Sequence, residues 1–300
     1  MKTEIFDTSA ICYGEILWDV LPEGPQPGGA PLNVAYHLNK MGLSTSIISK
    51  IGNDSNGERL VGLMDTWGIN LQFLQVDTVY PTSEVLAKMN GNEVTYEIIF
   101  PVAWDFITNN NDIRSAINPS TYLVYGSLAS RNGTSRNTLF KLLETDAIKV
   151  FDINLRPPYM EQDLLKILLG KADIVKLNQA ELEMVQVIFN GSLGNEASQV
   201  KFIQDRFDIG EVIITKGEFG ASYYKKARAY HFWGNEVKVK DTIGSGDSFL
   251  AAFIANHHLN IRPELILKNA IAMGAFIATK KGGCPEYQIG EYESFKSSMF

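Results

Sequence analysis

Cysteine, long apolar runs and excess positive charge are what this 300-residue sequence has least of. Its two cysteines, Cys12 and Cys284, cannot build a disulfide framework, which suits a reducing compartment. Its four histidines are scattered apart from His257-His258 and give no zinc-type spacing. The longest apolar stretch that tolerates a glycine, Ala270 to Ala278, falls far short of the ~18–20 residues that span a bilayer. Met1-Lys2-Thr3-Glu4 carries an acid and opens no apolar run, so no signal peptide is expected and a cytoplasmic location is. With 27 basic against 34 acidic side chains the net charge is −7, which argues against nucleic-acid and membrane-surface partners. Three motifs are absent: the P-loop G-x-x-x-x-G-K-[ST], a dinucleotide G-x-G-x-x-G after a strand, and the hydrolase elbow G-x-S-x-G.

What is present is an ordinary globular composition, 45% apolar and 20% charged. A chain this long buries roughly three quarters of its unfolded surface and needs no metal or disulfide to fold. Short β-branched or aromatic runs at Ile47-Ile48, Tyr122 to Tyr125, Val150-Phe151, Ile174-Val175 and Val212 to Ile214 read as buried strands of a mainly parallel sheet. Helical patterns alternate with them: Leu60, Leu63, Met64 and Trp67, with a capping box from Ser55 and Glu58; Leu182, Val185 and Phe189; and Phe249, Leu250, Phe253 and Ile254. This alternation predicts an α/β fold with right-handed crossovers and helices on both sheet faces. From Phe73 to Phe100 the rhythm breaks. Ser83 to Met89 and Glu93 to Phe100 read as strands around an Asn90-Gly91 turn, an antiparallel excursion of the kind that makes a lid or an interface. We therefore expect a single domain over 1–300, with a β-lid from about 73–101 and part of the N-terminal region.

Four segments carry chemistry. Asp241-Thr242-Ile243-Gly244-Ser245-Gly246-Asp247 opens a helix, and its glycines leave backbone N–H groups free at the positive end of the helix dipole. An ionised Asp247 there could take a proton from a hydroxyl while Gly244, Ser245 and Gly246 hold a developing phosphate. The same segment also reads as a flexible turn with Asp247 as a simple first-turn acid. Gly28-Gly29-Ala30-Pro31-Leu32-Asn33 combines close backbone approach with an Asn that both donates and accepts, which suits vicinal sugar hydroxyls or, more plainly, a glycine turn. Asn178 and Glu181 could orient a hydrated Mg²⁺ or simply cap a helix. Thr215, Gly217 and Gly220 follow a strand, where ligands bind in open α/β sheets, or form a turn between two strands.

In this order the segments resemble the ribokinase-like (PfkB) carbohydrate kinases, and among them the bacterial fructokinases. The likeness spans nearly the whole chain and adds Gly14-Glu15-Ile16-Leu17-Trp18-Asp19, Ile51-Gly52-Asn53-Asp54 with Gly57, and Phe151-Asp152-Ile153-Asn154-Leu155-Arg156. It implies a three-layer α/β/α core with a small β-sheet lid that often doubles as a homodimer clasp. It also implies Asp247 as general base, Gly244 to Asp247 as anion hole, and Arg156 near the transferred phosphate. Asp19, Gly28, Gly29 and Asn33 would hold the sugar, with Tyr96 and Phe100 beside it. Thr215, Gly217, Gly220 and Asn178 would contact ATP, Asn178 and Glu181 would organise Mg²⁺ through water, and Asn269 would reach the adenine. Backbone oxygens at Asp241 and Ile243 would suit K⁺. Ser245 stands where the family usually has Ala.

A sugar acid or phosphorylated sugar would need a cation from the lid. Between Asp77 and Asp112 the only basic residue is Lys88, with Arg114 and Arg131 as loop alternatives. The expectation is phosphorylation of a neutral small-molecule sugar, D-fructose giving fructose 6-phosphate. The alternatives are a keto-deoxygluconate kinase, a ribokinase, a nucleoside kinase stacking its base on Tyr96, Phe100 or Trp104, or a non-catalytic sensor.

Overall fold

The computed structural model describes residues 8–21, 24–90, 93–118 and 121–300, with the side chains of 87–90, 93–96, 111 and 114 outside the description. The strands are β1 Ala10–Tyr13, β2 Leu17–Leu21, β3 Gly24–Gly28, β4 Thr45–Gly52, β5 Leu74–Asp77, β6 Ser83–Asn90, β7 Glu93–Ile98, β8 Tyr122–Gly126, β9 Ile148–Asp152, β10 Ile174–Asn178, β11 Glu211–Thr215, β12 Ala221–Lys225 and β13 Arg228–Phe232. The helices are α1 Ala30–Lys40, α2 Ser55–Thr66, α3 Asn111–Ser115, α4 Gly133–Leu143, α5 Gln162–Leu169, α6 Gln179–Phe189, α7 Glu196–Phe207, α8 Ser245–His258, α9 Pro263–Ala278 and α10 Ile289–Met299. Nine strands form one sheet in the order β13-β12-β11-β10-β9-β8-β1-β4-β5, parallel from β11 to β5, with the hairpin β12–β13 antiparallel at one edge.

Alternate residues of the central strands feed two cores. Ala10, Cys12, Val124 and Ile213 pack with α1, α8 and α9 on one face; Ile11, Tyr13, Leu123, Val212 and Ile214 pack with α4, α5, α6 and α7 on the other. Strands buried on both faces explain why these runs are continuously apolar in sequence. The chain leaves β1 through α1 to β4 on one side and returns to β8 on the other. The strand order therefore reverses between β1 and β8, and the loops after these two strands diverge into a crevice at their carboxyl ends, where open α/β sheets bind ligands.

The second sheet, ordered β3-β2-β6-β7, grows from that same end. The expected hairpin is β6–β7. Its partners β2 and β3 come from the β1–α1 connection, and β5 joins the large sheet instead. Strand β3, Gly24-Pro25-Gln26-Pro27-Gly28, has the composition of a turn. It survives as a strand because it is an edge: prolines two apart present their missing N–H to the open side and cost no ladder bond.

One cap differs from the sequence expectation. Asp54, not Ser55, caps α2, accepting from Gly57 N at 2.8 Å, while its other oxygen accepts from Thr82 N at 2.8 Å ahead of β6. Ser55 is already helical, so the Ser55–Glu58 box does not form. Asp54 thus ties the helix start to the base of the small sheet, and the bonds to its carboxylate hold it below the usual range despite some burial. Asp54→Ala should cost about 1–2 kcal/mol in urea unfolding, and Asp54→Asn, which keeps an acceptor, less than half of that. Equal losses in the two variants would mean that the cap is not what Asp54 contributes.

Candidate active site

Residues 241–247 meet the crevice at the start of α8. Gly244 caps the helix with φ 74°, a left-handed backbone, and a Cβ there would stand 2.5 Å from Gly283 Cα, so both conformation and space call for glycine. Ser248 N donates to Gly244 O as the first helical rung, and Ser245 N donates to Thr242 O at 3.2 Å. The amides of Gly246 and Asp247 have no helical acceptor and add to the positive end of the dipole, a setting that attracts an anion. Ser245 Oγ turns away, donating to Gly274 O at 2.9 Å, so the hydroxyl anchors α8 to α9 and leaves these amides alone.

Asp247 lies in the first turn of α8 and accepts a hydrogen bond from Asn33 Nδ2 at 2.8 Å. Burial and the charge of Asp152 push Asp247 up to about 6, while the Asn33 N–H, Lys176 and Arg156 pull the other way. A carboxylate so placed is ionised at neutral pH and close enough to neutrality to take and release a proton. Asp19, on β2, is pushed up to about 6 by burial and by Asp247, against the pull of Arg156. Its carboxylate covers Gly28, where a Cβ would lie 2.1 Å from Oδ2; at Gly29, φ 106°, a Cβ would lie 2.4 Å from Glu15 O. The paired glycines are what let the turn between β3 and α1 close on the loop after β1. Arg156 is exposed, donates to Leu155 O, and its charge is felt at Asp19, Asp247 and Glu15.

Of the two aromatic candidates, Phe100 is half-exposed and packs against the Arg131 guanidinium at 5.0 Å, and the Tyr96 side chain lies outside the described residues. Arg131 commits two of its three guanidinium nitrogens within the protein, and Nη1 has no hydrogen-bond partner among the described residues. It is fully buried, gripping both oxygens of Asp105 at 2.7 and 2.8 Å, donating to Ile99 O and lying 4.0 Å from the Trp104 ring centre.

Thr215, Gly217 and Gly220 line one cavity of about 260 Å³ that also reaches Thr242, Ser245, Gly246 and Phe249. The β11–β12 turn and the start of α8 therefore share a single space. Its apolar walls are Val237 and Val239 after β13, Ile271, Gly274, Ala275 and Ala278 on α9, and Met299 on α10, with Glu218, Asn235 and Glu236 adding polar edges, none of them singled out in the sequence. Asn269 is not among its lining residues. Its amide donates to Asn256 Oδ1 and its carbonyl accepts from Tyr292 OH, which joins α8, α9 and α10. The Asp241 carboxylate accepts from Ile243 N and Gly282 N, closing the loop before the helix.

The family model for pfkB family carbohydrate kinases matches residues 12–288 of this chain. This protein is a pfkB-family carbohydrate kinase. It is 26% identical to the Escherichia coli fructokinase across 80% of this chain and 81% of that one, and 28% identical to the probable fructokinase-5 of Arabidopsis thaliana across 92% and 93%. Its fold superimposes on a Vibrio cholerae fructokinase crystallised with fructose, ADP and calcium, TM-score 0.81, 24% identity, covering 96% and 99% of the two chains. It also superimposes on a Xylella fastidiosa fructokinase with bound ATP, TM-score 0.84, 20% identity, covering 97% and 99%. The ribokinase-like three-layer fold with its separate small sheet is thus common to all three.

Asn178 and Glu181 of the kinase form a reciprocal helix cap: Asn178 Oδ1 accepts from Glu181 N at 2.9 Å and Glu181 Oε2 accepts from Asn178 N at 2.9 Å. Glu181 Oε1 accepts from Leu155 N at 3.0 Å, so both carboxylate oxygens already hold amides. Burial and the nearby Asp152 charge raise Glu181. The charge of Asp152 is felt at Glu181, and since the oxygens of both carboxylates already hold amides or an ammonium, these residues fit a hydrated Mg²⁺ met through water rather than by direct ligation. Asp152 belongs to a pair the sequence did not reveal. Lys176, an interior residue of β10, reaches both oxygens of Asp152 on β9 at 2.9 and 2.8 Å, with both side chains buried. Burial opposes the ammonium, but Asp152, Asp247 and Glu181 outweigh it and hold Lys176 above its ordinary range. A Cβ on Gly246 would lie 3.5 Å from Lys176 Nζ, which sets this buried cation directly beneath the free amides.

Removing one partner of a buried pair leaves an uncompensated charge. Lys176→Met should therefore lose about 3–5 kcal/mol in denaturant unfolding, and the double variant Lys176→Met/Asp152→Leu should recover most of that loss. A Lys176→Met protein as stable as its parent would overturn this account of the pair.

Proposed function

We propose that this kinase transfers the γ-phosphoryl group of ATP to a primary hydroxyl of a neutral hexose, D-fructose giving fructose 6-phosphate. The observation that carries this reading is the position of Asp247. It follows directly on Gly246, which lines the cavity that Thr215, Gly217 and Gly220 also line, and it is held by Asn33 and feels the charge of Asp19. Asp247 takes the hydroxyl proton, the amides of Gly246 and Asp247 with the α8 dipole hold charge on the transferring group, and Arg156 approaches that group from the open side. Asp19 and the remaining N–H of Asn33 bind sugar hydroxyls. The apolar walls of the cavity take the adenine. Mg²⁺, carried through water by Asn178 and Glu181, would neutralise phosphate charge when bound; carbonyls at Asp241 and Ile243 are the candidates for K⁺.

A neutral acceptor is favoured for two reasons. The loop cation that could answer a sugar carboxylate, Arg131, has its Nε and Nη2 committed to Asp105 and Ile99 O, leaving Nη1 buried and unpartnered among the described residues, and the acids Asp19, Glu15 and Asp247 crowd the sugar side. The side chains of Lys88 and Arg114 lie outside the described residues. The names of the Escherichia coli and Arabidopsis relatives, and the fructose held by the Vibrio cholerae enzyme, support fructose among neutral sugars.

An ADP-release assay with ATP, Mg²⁺ and separately fructose, ribose, adenosine and 2-keto-3-deoxygluconate decides the acceptor. Fructose should give the highest kcat/KM; a higher value for any of the others replaces fructose as the substrate. Asp247→Asn should keep sugar binding and lose about 10²–10⁴ in kcat. In the parent, kcat/KM should fall on acidification with an apparent pKa near 6, belonging to the Asp19–Asp247 pair together. The sign for stability is opposite. Asp247 is raised on folding, so the folded protein binds more protons between about pH 4 and 6 and loses stability as pH rises through that window. At pH 7.5 Asp247→Asn should unfold at higher denaturant, by up to about 3 kcal/mol. Near-parent turnover in Asp247→Asn would remove Asp247 as the base.

A further inference from the structure

Asn33 touches Asp247 through an amide whose two ends are nearly the same shape. Only its N–H end can face the carboxylate; with the amide reversed, Asn33 Oδ1 would confront Asp247 Oδ2 across about the same 2.8 Å, acceptor against acceptor. Something must choose the orientation. On the far side of the amide, Asn33 Oδ1 accepts from Cys284 Sγ at 3.2 Å. Burial, and the charges of Asp247 and Asp19, hold Cys284 well above the usual thiol range, so the sulfur keeps its proton and remains a donor. Gly283 lies flat against the same amide: a Cβ there would stand 2.7 Å from both Asn33 Nδ2 and Oδ1.

The segment that carries these two residues is laced onto α1 along one helical face. Asn33, Tyr36 and His37 stand at i, i+3 and i+4. Tyr36 OH donates to Pro285 O at 2.6 Å. His37, fully buried, lies 2.9 Å from Gly283 O and 3.0 Å from Tyr287 OH. Burial and Lys40 lower His37 to about 4, so its ring is neutral; Nε2, facing a carbonyl, carries the hydrogen and Nδ1 accepts from the tyrosine. Gly283 also abuts Gly244, the cap of the amide cradle. One short strap therefore touches the cradle, the Asn33 amide and the interior of α1.

We propose that the strap 283–287 is a positioning element for the base: through the Cys284 thiol it fixes the Asn33 carboxamide so that its N–H, and not its carbonyl, faces Asp247. The inference rests on the reading of Asp247 as the base. It assigns to Cys284, His37 and Tyr287 a part in that chemistry without contact with substrate. Other charges bearing on Asp247, those of Asp19, Glu15, Asp152, Lys176 and Arg156, come from different elements and are unchanged by substitutions in the strap.

The test is a titration of Asp247 by NMR of protein labelled with ¹³C at the aspartate carboxyl, with its signal assigned by its loss in Asp247→Asn. In Cys284→Ala the midpoint should move up from about 6 by roughly 0.5–1 unit, because the ionised carboxylate loses a fixed donor worth about 1 kcal/mol. Cys284→Ser, which restores an O–H, should return it to the parent value. Tyr287→Phe, which frees one nitrogen of His37, should give a smaller upward shift, and it tests the proposal even if Cys284→Ala fails to fold. In the same variants kcat should fall about 3- to 10-fold in Ala and recover in Ser. An unmoved midpoint in folded Cys284→Ala, or a Ser variant shifted as far as Ala, overturns the proposal. The titration needs no turnover. A protein inactive on every sugar that still shows this pattern sinks the substrate reading and leaves the strap standing; an active protein without it does the reverse.

Discussion

One hydrogen bond, from Asn33 to Asp247, joins the first crossover helix of the chain to its last large helical pair, 214 residues apart in sequence. Its importance is electrostatic. Asp247 is a carboxylate taken partly out of water beside another acid, and either influence alone would favour its neutral form. The Asn33 N–H, the Lys176 ammonium beneath and Arg156 at the edge each favour the charged form, and the balance settles near 6. Without the donors the group would lie closer to its neutral form at neutral pH. Without the burial it would be an ordinary acid, too weak a base to matter. The usefulness of the site lies in the opposition of these influences.

The topology explains why they converge there. Reversal of strand order beside β1 opens a crevice at one end of the sheet, and each flanking element ends in it: β1 through Glu15, β9 through Asp152, β10 through Lys176 and Asn178, and α8 through its free amides. The small sheet is inserted from the same end, after β1 and after β5, so the acid Asp19 arrives over the crevice from a second layer. Its position is held at both bases. Trp18 donates to Asn56 O under the Arg59 guanidinium, and Arg131 binds Ile99 O below β7. Those ties are polar and specific, which suits a sheet too small to bury a core of its own.

Much of this was legible in the residue order because it depends on local rules. The parallel strands are short doubly buried runs, the Asn90-Gly91 pair in the sequence announces the β6–β7 hairpin although Gly91 itself lies outside the described residues, and the glycine-rich segment ahead of an apolar helical pattern marks the start of α8. What escaped the reading depends on partners far away in sequence. Strand β3 looks like a turn until one sees that it is an edge. Lys176 sits in the middle of an apolar strand, where nothing local says that Asp152 on the neighbouring strand will meet it. Asn269, read as an adenine contact, joins three helices instead, while the cavity walls on α9 are small apolar residues indistinguishable in sequence from ordinary helix packing. The Ser55–Glu58 pattern was a valid cap signature displaced by one residue, because Asp54 has a second acceptor oxygen to offer to Thr82.

If the proposed sugar site is correct, the crowding of acids also bears on which sugars it admits. Asp19 and Asp247 are each pushed up to about 6 and Glu15 to about 7, and Glu15 Oε2 has no hydrogen-bond partner among the described residues. Lys176 is engaged by Asp152 and Arg156 is exposed, so where the proposed reading puts the sugar the ionised Asp19 and Asp247, with Glu15 about half ionised at neutral pH, leave negative charge in excess. Another anion brought within about 6 Å of a single carboxylate there meets a repulsion on the order of 2–3 kcal/mol at an effective dielectric constant of ~20. A hydroxyl, which can donate to those same oxygens, meets none. Under the proposed reading, discrimination against sugar acids therefore begins before any shape is tested. It follows from the same burial of carboxylates that brings the base close to neutrality, so acceptor choice and base strength have one physical origin.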